Sequence, residues 1–235
     1  MLLNTENISS GYGNKEICHN ISLHVDEGEL VGIVGHNGAG KTTMLNTILG
    51  LIPLKKGKIS FFDRDISNSK IGDRVKVGIS LVPQGQSTFT NMSVMDNLRF
   101  ALYIHIDKQR DSDKNLLSAT FDLFPVLHER QSQIAGTLSG GERQMLALAM
   151  GMLSRPKLMM IDEPTLGLSP LFSQKVEDAI RDINSNYAIS VIVVQESIEV
   201  VCSLAKRVYV MKLGQIIFEE EAEKLACMED HWSIL

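Results

Sequence analysis

The chain has 235 residues, 44% of them hydrophobic and 22% charged, which suits one globular unit with a large core rather than a string of domains. A net charge of -5, without a block of like charges, excludes a general field that would attract nucleic acid or anionic lipid. Cys18, Cys202 and Cys227 are odd in number and scattered, so neither a disulfide framework nor a CxxC metal site is expected and a reducing cytosol fits best. Apolar runs such as VIVV and LMMI fall far below the roughly 18 residues of a spanning helix, and MLLNTENISS lacks a basic, cleavable leader, so a chain soluble by itself is expected.

In chain order, residues 1 to 25 alternate and predict an antiparallel edge, with Tyr12 in the turn SSGYG. ELVGIVG (29 to 35), VGISLV (77 to 82), KLMMID (157 to 162) and AISVIVV (188 to 194) are short, β-branched and nearly continuous in apolarity, which predicts strands covered on both faces. Helical spacing over Gly40 to Gly50, Gly141 to Ser154 and Leu171 to Asn184 places helices between or beside them, giving a parallel α/β sheet with right-handed crossovers. Strand signals vanish between about residues 87 and 156, where VMDNLRFALY (94 to 103) and NLLSATFDLF (115 to 124) predict helices. The expected division is therefore an α/β core, 1–86 and 157–235, with a helical subdomain, 87–156, inserted into it. The methionines at 145, 150, 152, 159 and 160 fall on predicted core elements and are read as packing groups.

The strongest chemical signal is GHNGAGKT, residues 35 to 42, which satisfies G-x-x-x-x-G-K-[ST] between a predicted strand and a predicted helix. Gly35, Gly38 and Gly40 let successive N–H groups face one anion, and the helix dipole adds to that field. Lys41 is then expected on the β- and γ-phosphates and Thr42 on Mg²⁺, while His36 is read as a solvated loop residue. A phosphate cradle needs a carboxylate on a neighbouring strand end, and KLMMIDEP supplies Asp162 for the metal and Glu163 to polarise the attacking water.

With TLSGGERQ (137 to 144) lying between these two motifs, the chain resembles the ABC-type ATPases. That resemblance covers residues 2 to about 225. It implies a P-loop NTPase (RecA-like) α/β core, an antiparallel β edge subdomain and an inserted α-helical subdomain. It further implies ATP and Mg²⁺, with Tyr12, Gly35, Asn37, Gly38, Ala39, Gly40, Lys41, Thr42 and Thr43 around the nucleotide. Ser139, Gly140 and Gly141 crown a helix start and form a second anion surface that serves the other subunit of a head-to-tail dimer. Tyr12 looks like the aromatic that stacks on adenine, the alternative being a surface tyrosine in a hairpin turn. Gln84, in LVPQG, looks like the glutamine that contacts Mg²⁺ and water, so the implied metal set is Thr42, Gln84 and Asp162 and the implied catalytic set Glu163, Gln84 and Glu196.

The strings LFPVLHERQSQIAGTLSGGERQMLALA (123 to 149) and DEPTLGLSP (162 to 170) look like the ATPase subunits of branched-chain amino-acid importers and their amide and urea relatives. The implied partners are a second ATPase subunit, homo- or heterodimeric, and a membrane permease, with the chain peripheral on the inner face of the cell membrane. An extra C-terminal regulatory domain is not expected. An exporter ATPase and a soluble, nucleotide-gated clamp are the alternatives; no basic face supports a nucleic-acid partner. Ser169, Met150 and Gln86 depart from the family pattern. So does VIVVQES (191 to 197), where Glu196 takes the position of the family's switch histidine and Gln195 is its neighbour. A carboxylate facing a triphosphate would be repelled or protonated, so Glu196 is expected to turn to solvent or a basic partner while Gln195 or Glu163 sustains turnover. The competing expectation is a site that binds ATP and hydrolyses it poorly.

Overall fold

The computed structural model describes residues 1–85, 87–103 and 110–227, with the side chains of 110–112 set aside. Gln86 lies outside the described residues. Two sheets carry the chain. The first is antiparallel, ordered β2-β1-β4-β5, from β1 (Leu3–Tyr12), β2 (Lys15–Val25), β4 (Leu54–Phe61) and β5 (Arg64–Asp65). The second is ordered β10-β9-β3-β8-β7-β6. Its members are β3 (Leu30–Val34), β6 (Ile79–Val82), β7 (Leu158–Asp162), β8 (Ser190–Gln195), β9 (Arg207–Lys212) and β10 (Gln215–Glu221). Only β10 runs antiparallel to its neighbour.

The central strands are apolar at every position because both faces are covered, as side-chain alternation requires. On β8, Ile192 and Val194 join one core with Met44, Leu45 and Ile48 of α1 (Lys41–Leu49) and with Ile8, Ile21 and Leu23 of the antiparallel sheet. Val191 and Val193 face the other way, into a core with Leu146 and Ala149 of α6 (Gly140–Leu153), Val176 and Ile180 of α7 (Pro170–Tyr187) and Val201 of α8 (Ile198–Leu204). β7 splits likewise, with Leu158 and Met160 on one side and Met159 and Ile161 on the other. Met145, Met152 and Met159 are buried in the core beneath α6, with Met150 packed against it, and Met160 is buried in the core beneath α1, so these methionines are packing groups.

Gly32 of β3 has no side chain where Val201 and Ala205 sit, which lets α8 lie directly on the strand. That seat holds the C-terminal half of α8 on β3.

Between β6 and β7 run α3 (Val94–Leu102), α4 (Arg110–Leu123), α5 (Pro125–Glu129) and α6, the helical insertion. α3 begins at Ser93, whose hydroxyl accepts from the Asp96 N–H at 3.0 Å. Small helices α2 (Ile71–Lys76) and α9 (Ala222–Ala226) complete the fold.

Candidate nucleotide site

β3 ends where α1 begins, and the link between them is the phosphate loop. Gly40 precedes the helix at φ 102°, in the left-handed region open to glycine, and no side chain caps α1. No acidic residue lies in the first turn of α1, so its free N–H groups and the positive end of its dipole face the loop.

Four side chains converge there. Thr42 Oγ1 donates to Asp162 Oδ2 at 2.7 Å, across the gap between α1 and the end of β7. Asp162 is 1% exposed, and its Oδ1 is buried without a hydrogen-bond partner. Burial pushes this carboxyl above the usual carboxylate range, opposed by the Thr42 hydrogen bond and the charge of Lys41. Lys41 Nζ donates to the carbonyls of Gly35 at 2.6 Å and His36 at 3.3 Å, and lies 3.1 Å from Glu163 Oε1. Both members of that ion pair are buried, at 5% side-chain exposure each. Glu163 holds a left-handed backbone, φ 49°, pinned by its N–H donating to Val194 O at 2.9 Å. Such a conformation costs a non-glycine residue about 1 kcal/mol or more, and here it aims the carboxylate at the loop.

A cavity of about 350 Å³ joins Tyr12, Asn37, Gly38, Ala39, Gly40, Lys41, Thr42, Thr43, Gln84 and Glu163. Gly35 lies just beneath, its Cα too close to the Met211 carbonyl for any side chain. Tyr12 is exposed at the cavity edge. Lys15 and Ile17 of β2 also line it and were missed in the sequence; their signal is the hairpin, which folds β2 back beside Tyr12.

The structure places Ser139, Gly140 and Gly141 elsewhere. Gly140 lines a second cavity, about 720 Å³, with Arg143, Gln144 and Leu168; Gln84 and Glu163 border both cavities. At this helix start Ser139 Oγ accepts from the Glu142 N–H at 3.3 Å and Glu142 Oε2 accepts from the Ser139 N–H at 2.8 Å. This capping box leaves the N–H groups of Gly140 and Gly141 outside it. Gly141 has a further reason to be glycine, because a Cβ there would strike the Phe172 ring of α7.

The residues after β8 part company. Gln195 is 3% exposed and its amide donates to Thr165 Oγ1 at 2.8 Å, so it faces the segment after Glu163. Glu196 is half-buried, accepts from Asn37 Nδ2 at 2.9 Å and lies 3.6 Å from His36 Nδ1. Glu196 thus faces two residues of the phosphate loop, and His36, half exposed in that loop, is one of them.

This donor set fits a divalent cation beside a polyphosphate. The unpartnered Asp162 oxygen and the Thr42 hydroxyl form a hard, oxygen-only pair. Among the described residues no three His, Cys, Asp or Glu side chains cluster as a protein-only cage, so the remaining ligands would come from Gln84 at the cavity wall, from substrate and from water.

Residues 18–166 match the family described as ABC transporter. The chain is 32% identical over 224 residues to the high-affinity branched-chain amino acid transport ATP-binding protein BraG of Pseudomonas aeruginosa, covering 95% of this chain and 94% of that one. It is 31% identical, at the same coverage, to the probable branched-chain amino acid transport ATP-binding protein LivF of Archaeoglobus fulgidus. The lipopolysaccharide export system ATP-binding protein LptB of Escherichia coli is 30% identical, covering 92% of this chain and 88% of that one. A nucleotide-free ATP-binding cassette from an ABC transporter superposes with TM-score 0.85 at 23% identity, covering 99% and 98% of the two chains. A dimeric post-hydrolysis cassette bound to ADP and Pi gives 0.83 at 22%, covering 94% and 99%. The chain belongs to the ABC transporter family, as one of its ATP-hydrolysing ATP-binding members.

Proposed function

We propose that this chain powers an importer of branched-chain amino acids or related small polar or amide solutes, docked on a membrane permease from the cytoplasmic face. The observation that carries the ATPase mechanism is the quartet Lys41, Thr42, Asp162 and Glu163 at the mouth of the phosphate loop. A triphosphate in the cradle competes for the Lys41 ammonium, drawing it from Glu163 and the Gly35 carbonyl toward phosphate oxygens. Glu163, released from its cation, is then free to orient and polarise the attacking water. Thr42, Asp162 and Gln84 would hold Mg²⁺, which when bound supplies charge neutralisation at the phosphates. Tyr12, exposed at the cavity edge, offers a flat face for adenine.

Gly140, at the start of the signature helix, borders a different cavity from Lys41 and Thr42, which supports a head-to-tail dimer in which each signature helix serves the other subunit's nucleotide. The permease contact is assigned to the groove of about 270 Å³ between the core and the helical insertion, lined by Leu81, Phe89, Phe100 and Met150. The Phe89 and Phe100 rings pack edge to face at 4.6 Å and remain about half exposed. Met92, close by in sequence, is half-buried.

The importer reading rests on the long strings at 123–149 and 162–170 and on the branched-chain relatives. The similarity to LptB supports an exporter ATPase as the second reading. Reconstitution with the membrane permease that co-purifies with this chain, in vesicles of fixed orientation, separates them: ATP-dependent uptake of labelled leucine or an amide sustains the importer, and ATP-driven extraction of lipid overturns it.

A further inference from the structure

Glu196 occupies a place that this mechanism does not use. β3 and β8 are parallel neighbours with Val34 opposite Gln195, so the chain leaves both strands at one level. From β3 it enters the phosphate loop; from β8 it passes through Glu196 and Ser197 into α8. Glu196 spans the gap, one carboxylate oxygen accepting from Asn37 Nδ2 at 2.9 Å and the other lying 3.6 Å from His36 Nδ1. The two side chains of that pair are 38% and 50% exposed, for Glu196 and His36. Gln195 is turned inward onto Thr165, so position 196 alone carries a polar group from β8 to the loop tip.

A fixed carboxylate beside a polyphosphate cradle repels its ligand over short distances. Among the described residues, Lys15 of β2 brings a cation to the cavity wall, and the Asp162 carboxyl accepts from Thr42, which also lines it. Lys41 is committed to the Gly35 and His36 carbonyls and to Glu163. β9, on the other side of β3, ends at Lys212, and the first turn of α8 adds Glu199. Among the described residues the one ion pair made by Glu196 is with His36. Imidazole is the side chain whose ordinary titration falls between about pH 5 and 8.

We propose that Glu196 is a positioning residue for nucleotide binding that acts through the phosphate-loop tip, holding Asn37 in place and drawing a protonated His36 over the cradle. The inference rests on the reading of this loop as the ATP site. With His36 protonated the pair is neutral and the cradle takes a triphosphate; with His36 neutral Glu196 keeps only the Asn37 amide, the Lys15 and Lys41 cations standing at the cavity wall are unchanged, and the added negative charge opposes the ligand. ATP affinity therefore falls as pH rises through the histidine titration, and both residues are needed for that fall.

The test is calorimetric binding of the β,γ-imido analogue of ATP with Mg²⁺, between pH 6 and pH 8, to the parent chain, His36→Gln, Glu196→Gln and the double variant. The analogue's own ionisation is common to all four and cancels in ratios. Expected is a parent that loses about 3- to 10-fold more affinity over this range than His36→Gln does. At pH 8 Glu196→Gln and the double variant bind more tightly than the parent by a similar factor, while His36→Gln matches the parent. Parallel pH profiles for the parent and His36→Gln, or weaker binding by Glu196→Gln at pH 8, overturn the inference and leave the site reading intact. Failure of the folded parent to bind the analogue at any pH overturns the site reading and the inference with it.

Discussion

Two helices begin behind glycine-rich loops, and their first turns are finished differently. α1 starts at Gly40 with no capping side chain and no acidic residue in its first turn. α6 starts at Ser139 with a closed capping box, and Glu142 is further held by Arg130 Nε at 2.9 Å. The N–H groups of α1 are left for a ligand, so that end gains its stability from binding. The α6 end is satisfied within the chain and keeps only the Ser139 hydroxyl hydrogen and the Gly140 and Gly141 N–H groups for a visitor. On the function proposed above, one end acts as a receptor and the other as a presenting surface.

The largest effects belong at the receptor end. Glu163→Gln is expected to lower steady-state phosphate release by about 10²- to 10⁴-fold while retaining nucleotide binding; Lys41→Ala loses both, read by the same assay beside calorimetry. Undiminished turnover in Glu163→Gln would remove the water-polarising role assigned to it. Next comes Gly40→Ala, which forces a side chain into φ 102° with its Cβ 2.9 Å from Met211 Cε. A loss of about 1–3 kcal/mol in denaturant unfolding is expected, and an unchanged midpoint would mean that the loop relaxes freely.

At the presenting end, Ser139→Ala should cost about 1 kcal/mol through loss of the cap, with Ser139→Asn retaining most of it in thermal melts. Burial works to raise the Glu142 carboxyl, but the Ser139 hydrogen bonds and the Arg130 charge outweigh it and hold it below the usual range. A depressed folded-state value stabilises above the unfolded-state pKa and is lost as pH falls through the folded one. Glu142→Gln should therefore flatten the acid limb of the stability profile, and an unaltered limb would show that the box is indifferent to charge. The smallest effect is Arg130→Ala, at about 0.2–1 kcal/mol, because its guanidinium is half exposed.

The central sheet was legible because strands covered on both faces are apolar at every position. LMMID and VIVV carry that mark without relying on anything distant. LKKGKISF did not read as a strand: four consecutive residues of β4, Lys55 to Lys58, are exposed, and its Gly57 is set against the backbone of Glu6 and Asn7, which only the fold brings near. RVYVMK and QIIFEEE also went unread, although both alternate or run apolar. The phosphate loop and Asp162 were legible as local strings. The Lys41–Glu163 and His36–Glu196 pairs were not, because they depend on β3 lying beside β8 and β8 beside β7, a strand order that no local pattern encodes.

Gly32 has a consequence for how this site tolerates sequence drift. By letting Val201 and Ala205 lie against bare strand, it seats α8 on β3, so the short link through 196 and 197 joins two packed elements, β8 and α8. Exchanging the acid at 196 for an amide or an imidazole is then expected to change the charge facing the loop tip while the elements on either side stay seated. Gly32→Val would withdraw that licence, since α8 would have to lift and every choice at 196 would be heard through a displaced backbone.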